Sequence, residues 1–266
     1  MRLKYAVVLS IMFACFASAS VAAEPANGTT QEQSTESSAK KSAQSFSDTT
    51  ARRRAPADFN RKVFFRNKLE LSLETGGLPL NTPLLLGPLI GDNFSREKGL
   101  PDYTLIPTSL MLRWQLYDPR GPSFLRGTTE FSFGGVYAAI VQGPESMFVG
   151  PLIGLRYYFV QPGAKVVPYV DLRGGLGYTD AAGPWEVAHH QPDVGQGQDF
   201  TFTFSMGAGL RYDFNSRYSV SLALSYMHLS NMYLSEPKYY NHGVNTLGGL
   251  VGFNVGLNDL FKRARE

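Results

Sequence analysis

Near the C-terminal end of the chain, His228 and Ser230 stand two residues apart. They close a run in which Tyr218, Val220, Leu222, Leu224 and Tyr226 alternate with Ser219, Ser221, Ala223 and Ser225. Period-two alternation marks a strand, because successive side chains leave opposite faces. Two more steps along the apolar phase reach the imidazole and the hydroxyl, so both lie on one face at the strand's end. Residues two apart on a strand are about 6.5 Å from Cα to Cα, close enough for an imidazole to lean toward a hydroxyl. Serine is a weak nucleophile until a base takes its proton, and the base needs a third group to fix its tautomer. The pair alone also fits an interfacial histidine beside an incidental serine. The next alternating run puts Asn245, Leu247, Val251, Phe253, Val255 and Leu257 on one face, with Asn245 directly across the loop. Three polar groups on a face otherwise made of hydrocarbon are costly unless they are paired or used.

These residues need a scaffold, and the pattern supplies one. Eight strands are expected, at about Val63–Gly76, Tyr103–Tyr117, Phe124–Ile140, Met147–Val160, Lys165–Thr179, Gln198–Phe214, Arg217–Ser230 and Gly243–Leu257. One face of each is apolar, as with Leu110, Leu112, Trp114 and Leu116 in the second. The opposite faces carry Lys68, Glu70, Glu74, Arg113, Glu130, Arg156, Asp171, Arg173, Arg211 and Asp213 among glycines and serines. A soluble sandwich would wet that polar face. Small residues and charges of both signs instead suit the narrow interior of an eight-stranded barrel as a paired network. Apolar outward, polar inward, with connections that alternate long and short, is the pattern of an outer-membrane barrel. The expected fold is therefore all-β, an eight-stranded antiparallel outer-membrane β-barrel. With the N-terminal segment in the periplasm, the seventh strand runs outward, and His228 and Ser230 lie level with the outer leaflet.

The first 23 of the 266 residues read as a secretory signal: Arg2 and Lys4, an apolar run from Tyr5 to Phe16, then Val21-Ala22-Ala23 as a cleavage site. The apolar run is short for a helical span. Cys15 is the only cysteine and leaves with the signal, so neither disulfide nor thiol chemistry is expected. Taking Arg2 and Lys4 from 25 basic residues leaves 23 against 22 acidic ones, which gives no electrostatic case for nucleic acid. Residues 24–60 are rich in Ser, Thr, Gln, Glu and Lys and read as a disordered periplasmic linker, with Arg52-Arg53-Arg54 as a solvated charge run. The barrel is expected over 61–258, with a polar tail at 259–266.

The run His228-Leu229-Ser230-Asn231, followed by Pro237, Asn241, Gly243 and Asn245, resembles the signature of the lipid A 3-O-deacylase family, also labelled acyloxyacyl hydrolases. The resemblance spans about 63–257, with its specific motif in 226–245. It implies an eight-stranded outer-membrane esterase without cofactor or metal, acting on lipid A (lipopolysaccharide) in the outer leaflet; whether as a monomer or homodimer the sequence leaves open. It implies Ser230 as nucleophile and His228 as general base, with Asn231 and Asn241 holding the developing oxyanion. Two departures stand out. The family pattern carries an acid where this chain has Asn245, and Ala-Gly where it has Met232-Tyr233. Asparagine can orient an imidazole by accepting its N–H, as in Cys-His-Asn enzymes, but brings no charge to the imidazolium. A slower enzyme is expected, with Glu236 of the outer loop as a possible substitute acid.

Other candidates are weaker. His189-His190 with Asp193 and Trp185 reads as an exposed loop, since adjacent histidines point apart. His242 reads as loop chemistry. The runs Gly174-Gly175 and Gly207–Gly209 lie in strands with no helix behind them, so they are not phosphate cradles. Two rival functions remain open at this stage: a non-catalytic structural or adhesive barrel, and a phospholipid esterase of the same build.

Overall fold

The computed structural model describes residues 59–85 and 99–258, all within one compact unit. The signal segment, nearly all of the expected linker and the tail at 259–266 lie outside the described residues. Eight strands form the wall: β1 (Leu69–Asn81), β2 (Thr104–Gln115), β3 (Thr128–Gln142), β4 (Met147–Tyr158), β5 (Val166–Thr179), β6 (Phe200–Asp213), β7 (Tyr218–Ser230) and β8 (Val244–Gly256). Each pairs with the next, and β1 pairs antiparallel with β8 to close the barrel. The connections 82–103, 143–146, 180–199 and 231–243 share one end, called here the outer end. Those at 116–127, 159–165 and 214–217 share the other.

The first and third strands differ most from the sequence expectation. The first strand does not begin at Val63 or stop at Gly76. Val63 instead ends a short helix, α1 (Phe59–Val63). Val63 and Phe64 are fully buried among Tyr158, Val160, Val167 and Tyr169, which makes this segment a stopper at the inner end. Its apolar residues therefore answer to a plug and not to a wall, and they carry no period of two. At the other end β1 continues through Gly77 to Asn81, with a shift of register against β8 between Gly77 and Leu80. The third strand starts at Thr128, because Ser123–Leu125 forms a 3-10 turn.

The interior has two layers. Toward α1, Glu74 accepts from Arg113 (2.8 Å), Arg156 (2.7 Å) and Arg173. Glu70 pairs with Arg211 at 2.6 Å and Lys68 at 2.8 Å. Toward the outer end the lumen is filled by apolar side chains, including Leu78, Leu105, Phe148, Met227 and Leu229. The second layer was not anticipated from the polar inward pattern. Outside, Leu73, Leu110, Phe133, Leu210, Val251 and Phe253 are all exposed. Buried charges with exposed hydrocarbon invert a water-soluble fold and suit a wall surrounded by acyl chains.

Candidate active site

Pairing of β7 with β8 sets His228 directly opposite Asn245. The outward face of β7 changes character along its length. Leu222 and Leu224 are 61% and 58% exposed, whereas Tyr226 is 1% and Ser230 8% exposed. His228 is half-buried. The chain leaving β1 crosses here: the Thr82 N–H donates to the Asn245 carbonyl at 3.1 Å, and the Leu85 backbone hydrogen-bonds the Tyr226 hydroxyl. Tyr226 is thus not part of an open lipid-facing stripe, as its phase with Leu222 and Leu224 suggests. It is a covered residue with a polar task.

That task is visible in the hydrogen bonds. The imidazole Nδ1 of His228 lies 2.9 Å from Asn245 Oδ1. The Tyr226 hydroxyl donates to the same oxygen. The amide nitrogen of Asn245 donates to the Gly243 carbonyl at 3.1 Å. Since Asn245 Oδ1 can only accept, the hydrogen between it and the ring sits on Nδ1, and Nε2 keeps its lone pair. Gly243 is tied to this arrangement sterically. A Cβ on it would lie 3.0 Å from His228 Cε1.

Ser230 Oγ is held from the loop side. It accepts from Asn241 Nδ2 at 2.9 Å and from the Met232 N–H at 3.1 Å. Asn241 is itself oriented, because its Oδ1 accepts the Asn231 N–H at 3.1 Å. The Asn231 side chain is fully buried and donates to Ser235 Oγ at 2.8 Å. Among the described residues no hydrogen bond joins Ser230 Oγ to the His228 ring, and none joins Glu236 to His228. Met232 and Tyr233 adopt φ of 55° and 63°. These residues stand where the family pattern has Ala-Gly, and both keep a left-handed backbone that glycine adopts without cost.

The neighbouring loops brace this one. Residues 180–199 contain the helix α2 (Gly183–Ala188), which the loop reading of the sequence did not foresee. His189 caps it and stacks on Trp185 with ring centroids 4.3 Å apart. Asp193 turns away from both histidines: its carboxylate accepts the Tyr240 N–H at 2.9 Å, and its carbonyl lies 2.8 Å from His242 Nε2. His189, His190 and Asp193 therefore do not converge, and His242 ties two loops together. Beneath them is Glu145, which accepts the Tyr103 hydroxyl at 2.7 Å and the Gln196 N–H. Burial pushes the Glu145 carboxyl above the ordinary carboxylate range, outweighing those hydrogen bonds. Burial, with the adjacent Glu145, also pushes the Tyr103 phenol up.

Comparison with known proteins bears on this constellation. The family of lipid A 3-O-deacylases (PagL) matches residues 108–254, from within β2 to the last turns of β8. That is more than half of the chain and includes every residue of the site. The chain belongs to the lipid A 3-O-deacylase family. No curated protein sequence matches it. Among solved structures, the crystal structure of the outer membrane enzyme PagL is similar at a TM-score of 0.42 and 14% identity, covering 70% of this chain and 98% of that one. The crystal structure of the outer membrane protein OprG from Pseudomonas aeruginosa is similar at a TM-score of 0.35 and 11% identity, covering 73% and 98%. As a member of the lipid A 3-O-deacylase family, this chain is an outer-membrane barrel of an ester-hydrolysing family. The polar task of Tyr226 and the Met232 N–H are the parts of its site that sequence reasoning missed, while Gly243 stood in the signature without a role. The phase of Tyr226, two residues before His228 on the same face, is readable in the sequence, but the partner of its hydroxyl is not.

Proposed function

We propose that this chain removes the ester-linked 3-hydroxyacyl group of lipid A by a serine mechanism, with Ser230 as nucleophile and His228 as general base. Ser230 Oγ attacks the ester carbonyl while His228 Nε2 takes its proton. The tetrahedral intermediate collapses as the imidazolium returns that proton to the departing 3-oxygen of glucosamine. Water, activated by the same imidazole, then releases the acyl group from the serine. Asn245 orients the ring through Nδ1. The Asn241 amide and the Met232 N–H, which now meet at Ser230 Oγ, are the donors nearest to where the oxyanion develops. Contact between nucleophile and base is left to the substrate complex, since such hydrogen bonds often tighten only there.

The observation that carries this reading is convergence. A base with its tautomer set and a serine gripped by two donors share the outward face at the outer end of one strand, within a lipid A 3-O-deacylase chain. Leu222 and Leu224, exposed below the site, offer the acyl chains a surface to lie on. Lipid A from cells expressing the chain is expected to lose one 3-hydroxyacyl group by mass spectrometry, and to keep it with Ser230→Ala. Intact lipid A alongside altered phospholipids would replace this reading with a phospholipid esterase. No change in either lipid would leave a barrel without this chemistry.

A further inference from the structure

We infer that Tyr226 is a positioning residue of this site: its hydroxyl holds the Asn245 amide with the oxygen toward His228, and so selects the imidazole tautomer whose Nε2 can act as base. The inference rests on the reading of His228 and Ser230 given above. Its starting point is a chemical difference between an amide and a carboxylate. A carboxylate offers an acceptor to Nδ1 whichever way it turns. An amide offers one only with its oxygen forward. Turned over, Asn245 would present its NH2 to Nδ1, which would then have to accept. The ring hydrogen would move to Nε2, and the lone pair needed to take the Ser230 proton would be lost.

Three contacts guard against that turn, and Tyr226 makes the decisive one. Its hydroxyl receives the Leu85 backbone hydrogen bond and donates to Asn245 Oδ1. The donors thus run in one direction, from Leu85 through Tyr226 to Oδ1, where the His228 Nδ1 hydrogen meets them at 2.9 Å. The Asn245 nitrogen is occupied by the Gly243 carbonyl at 3.1 Å. Tyr226 is 1% exposed, so no solvent stands ready to replace its hydroxyl. It reaches Asn245 because strand alternation puts it on the face of His228, while the pairing of His228 with Asn245 leaves Tyr226 diagonally adjacent.

Tyr226→Phe keeps the ring and removes only the donor. The expected result is a kcat lower by about three- to tenfold, the range that one lost hydrogen bond supports, with KM nearly unchanged. In the same variant, the 15N signals of the His228 ring should show hydrogen on Nε2 in a fraction of molecules, whereas the parent carries it on Nδ1. Asn245→Asp supplies the control. In that background Tyr226→Phe should change kcat by less than about twofold, because either carboxylate oxygen accepts. An equal loss in both backgrounds, or an unchanged Nδ1–H tautomer in Tyr226→Phe, would overturn the inference and leave Tyr226 as a space-filler. The tautomer needs no turnover to be read. A Ser230→Ala variant that still deacylated lipid A would therefore sink the serine mechanism while leaving this test intact.

Discussion

Asn245 Oδ1 receives two hydrogen bonds at the one place where a charged side chain would normally steady an imidazolium. Neutral acceptors are about half as strong as ionised ones, so orientation and not charge must carry much of the effect. The same demand for position falls on Gly243. A methyl group there would press on His228 Cε1 from 3.0 Å and tilt the ring by a few tenths of an ångström. Gly243→Ala should lower kcat about tenfold with little change in thermal stability, measured by lipid A turnover beside heat-modified gel mobility. His228, Ser230 and Asn245 stand out in the sequence because polar residues interrupt an apolar phase, whereas Asn241 enters only through the family signature. Tyr226 does not stand out. Periodicity counts tyrosine as one more apolar residue and cannot see which partner its hydroxyl will meet.

At the level of elements, the long outer loops act together. Residues 143–146, 180–199 and 231–243 are joined through Glu145, Gln196, Asp193 and His242, and the last of these loops holds Asn231 and Asn241. Burial raises the Glu145 carboxyl above its ordinary value of 4.5 in the folded protein. A raised carboxyl favours the folded arrangement below that ordinary value, and this contribution is lost as pH rises through the elevated one. The Gln196 amide should therefore exchange with deuterium more readily, after correction for intrinsic rates, as pH climbs from acid toward neutral. Glu145→Gln should abolish that dependence; protection that is flat or rises with pH in the parent would refute the link. Strands were readable here and loops were not. Alternation over 12 to 15 residues averages out local exceptions. The five residues of α1 and six of α2 are too few to display a helical period, and they fold where they do because Val63 and Glu186 find buried places.

For the molecule as a whole, stability depends on charges that never meet solvent. Glu74 answers Arg113, Arg156 and Arg173 together, with Asp171 beside it on Arg156 and Arg173. Removing one partner of a buried ionic set usually costs about 3–5 kcal/mol, because the remaining charges stay behind uncompensated. Glu74→Gln should lower the urea midpoint in detergent accordingly, while Lys165→Ala at the exposed rim should leave it within about 0.5 kcal/mol of the parent. The fold class followed from the sequence through that same set, since only a lumen reconciles so many charges with so oily an opposite face. The apolar filling of the outer half did not: alternation gives Leu105 and Leu229 the inward phase, but the charges sharing that phase suggest a polar lumen throughout.

The chain leaving the first strand touches the last two: Thr82 meets Asn245, and Leu85 meets Tyr226. Such stitching joins residues from opposite termini of the barrel sequence, across the seam that shuts last if the hoop is sewn in order. A chain still in transit, or halfway inserted, has its histidine and serine but lacks the brace that aims them. On the proposed mechanism, hydrolytic competence would arrive together with completion of the hoop.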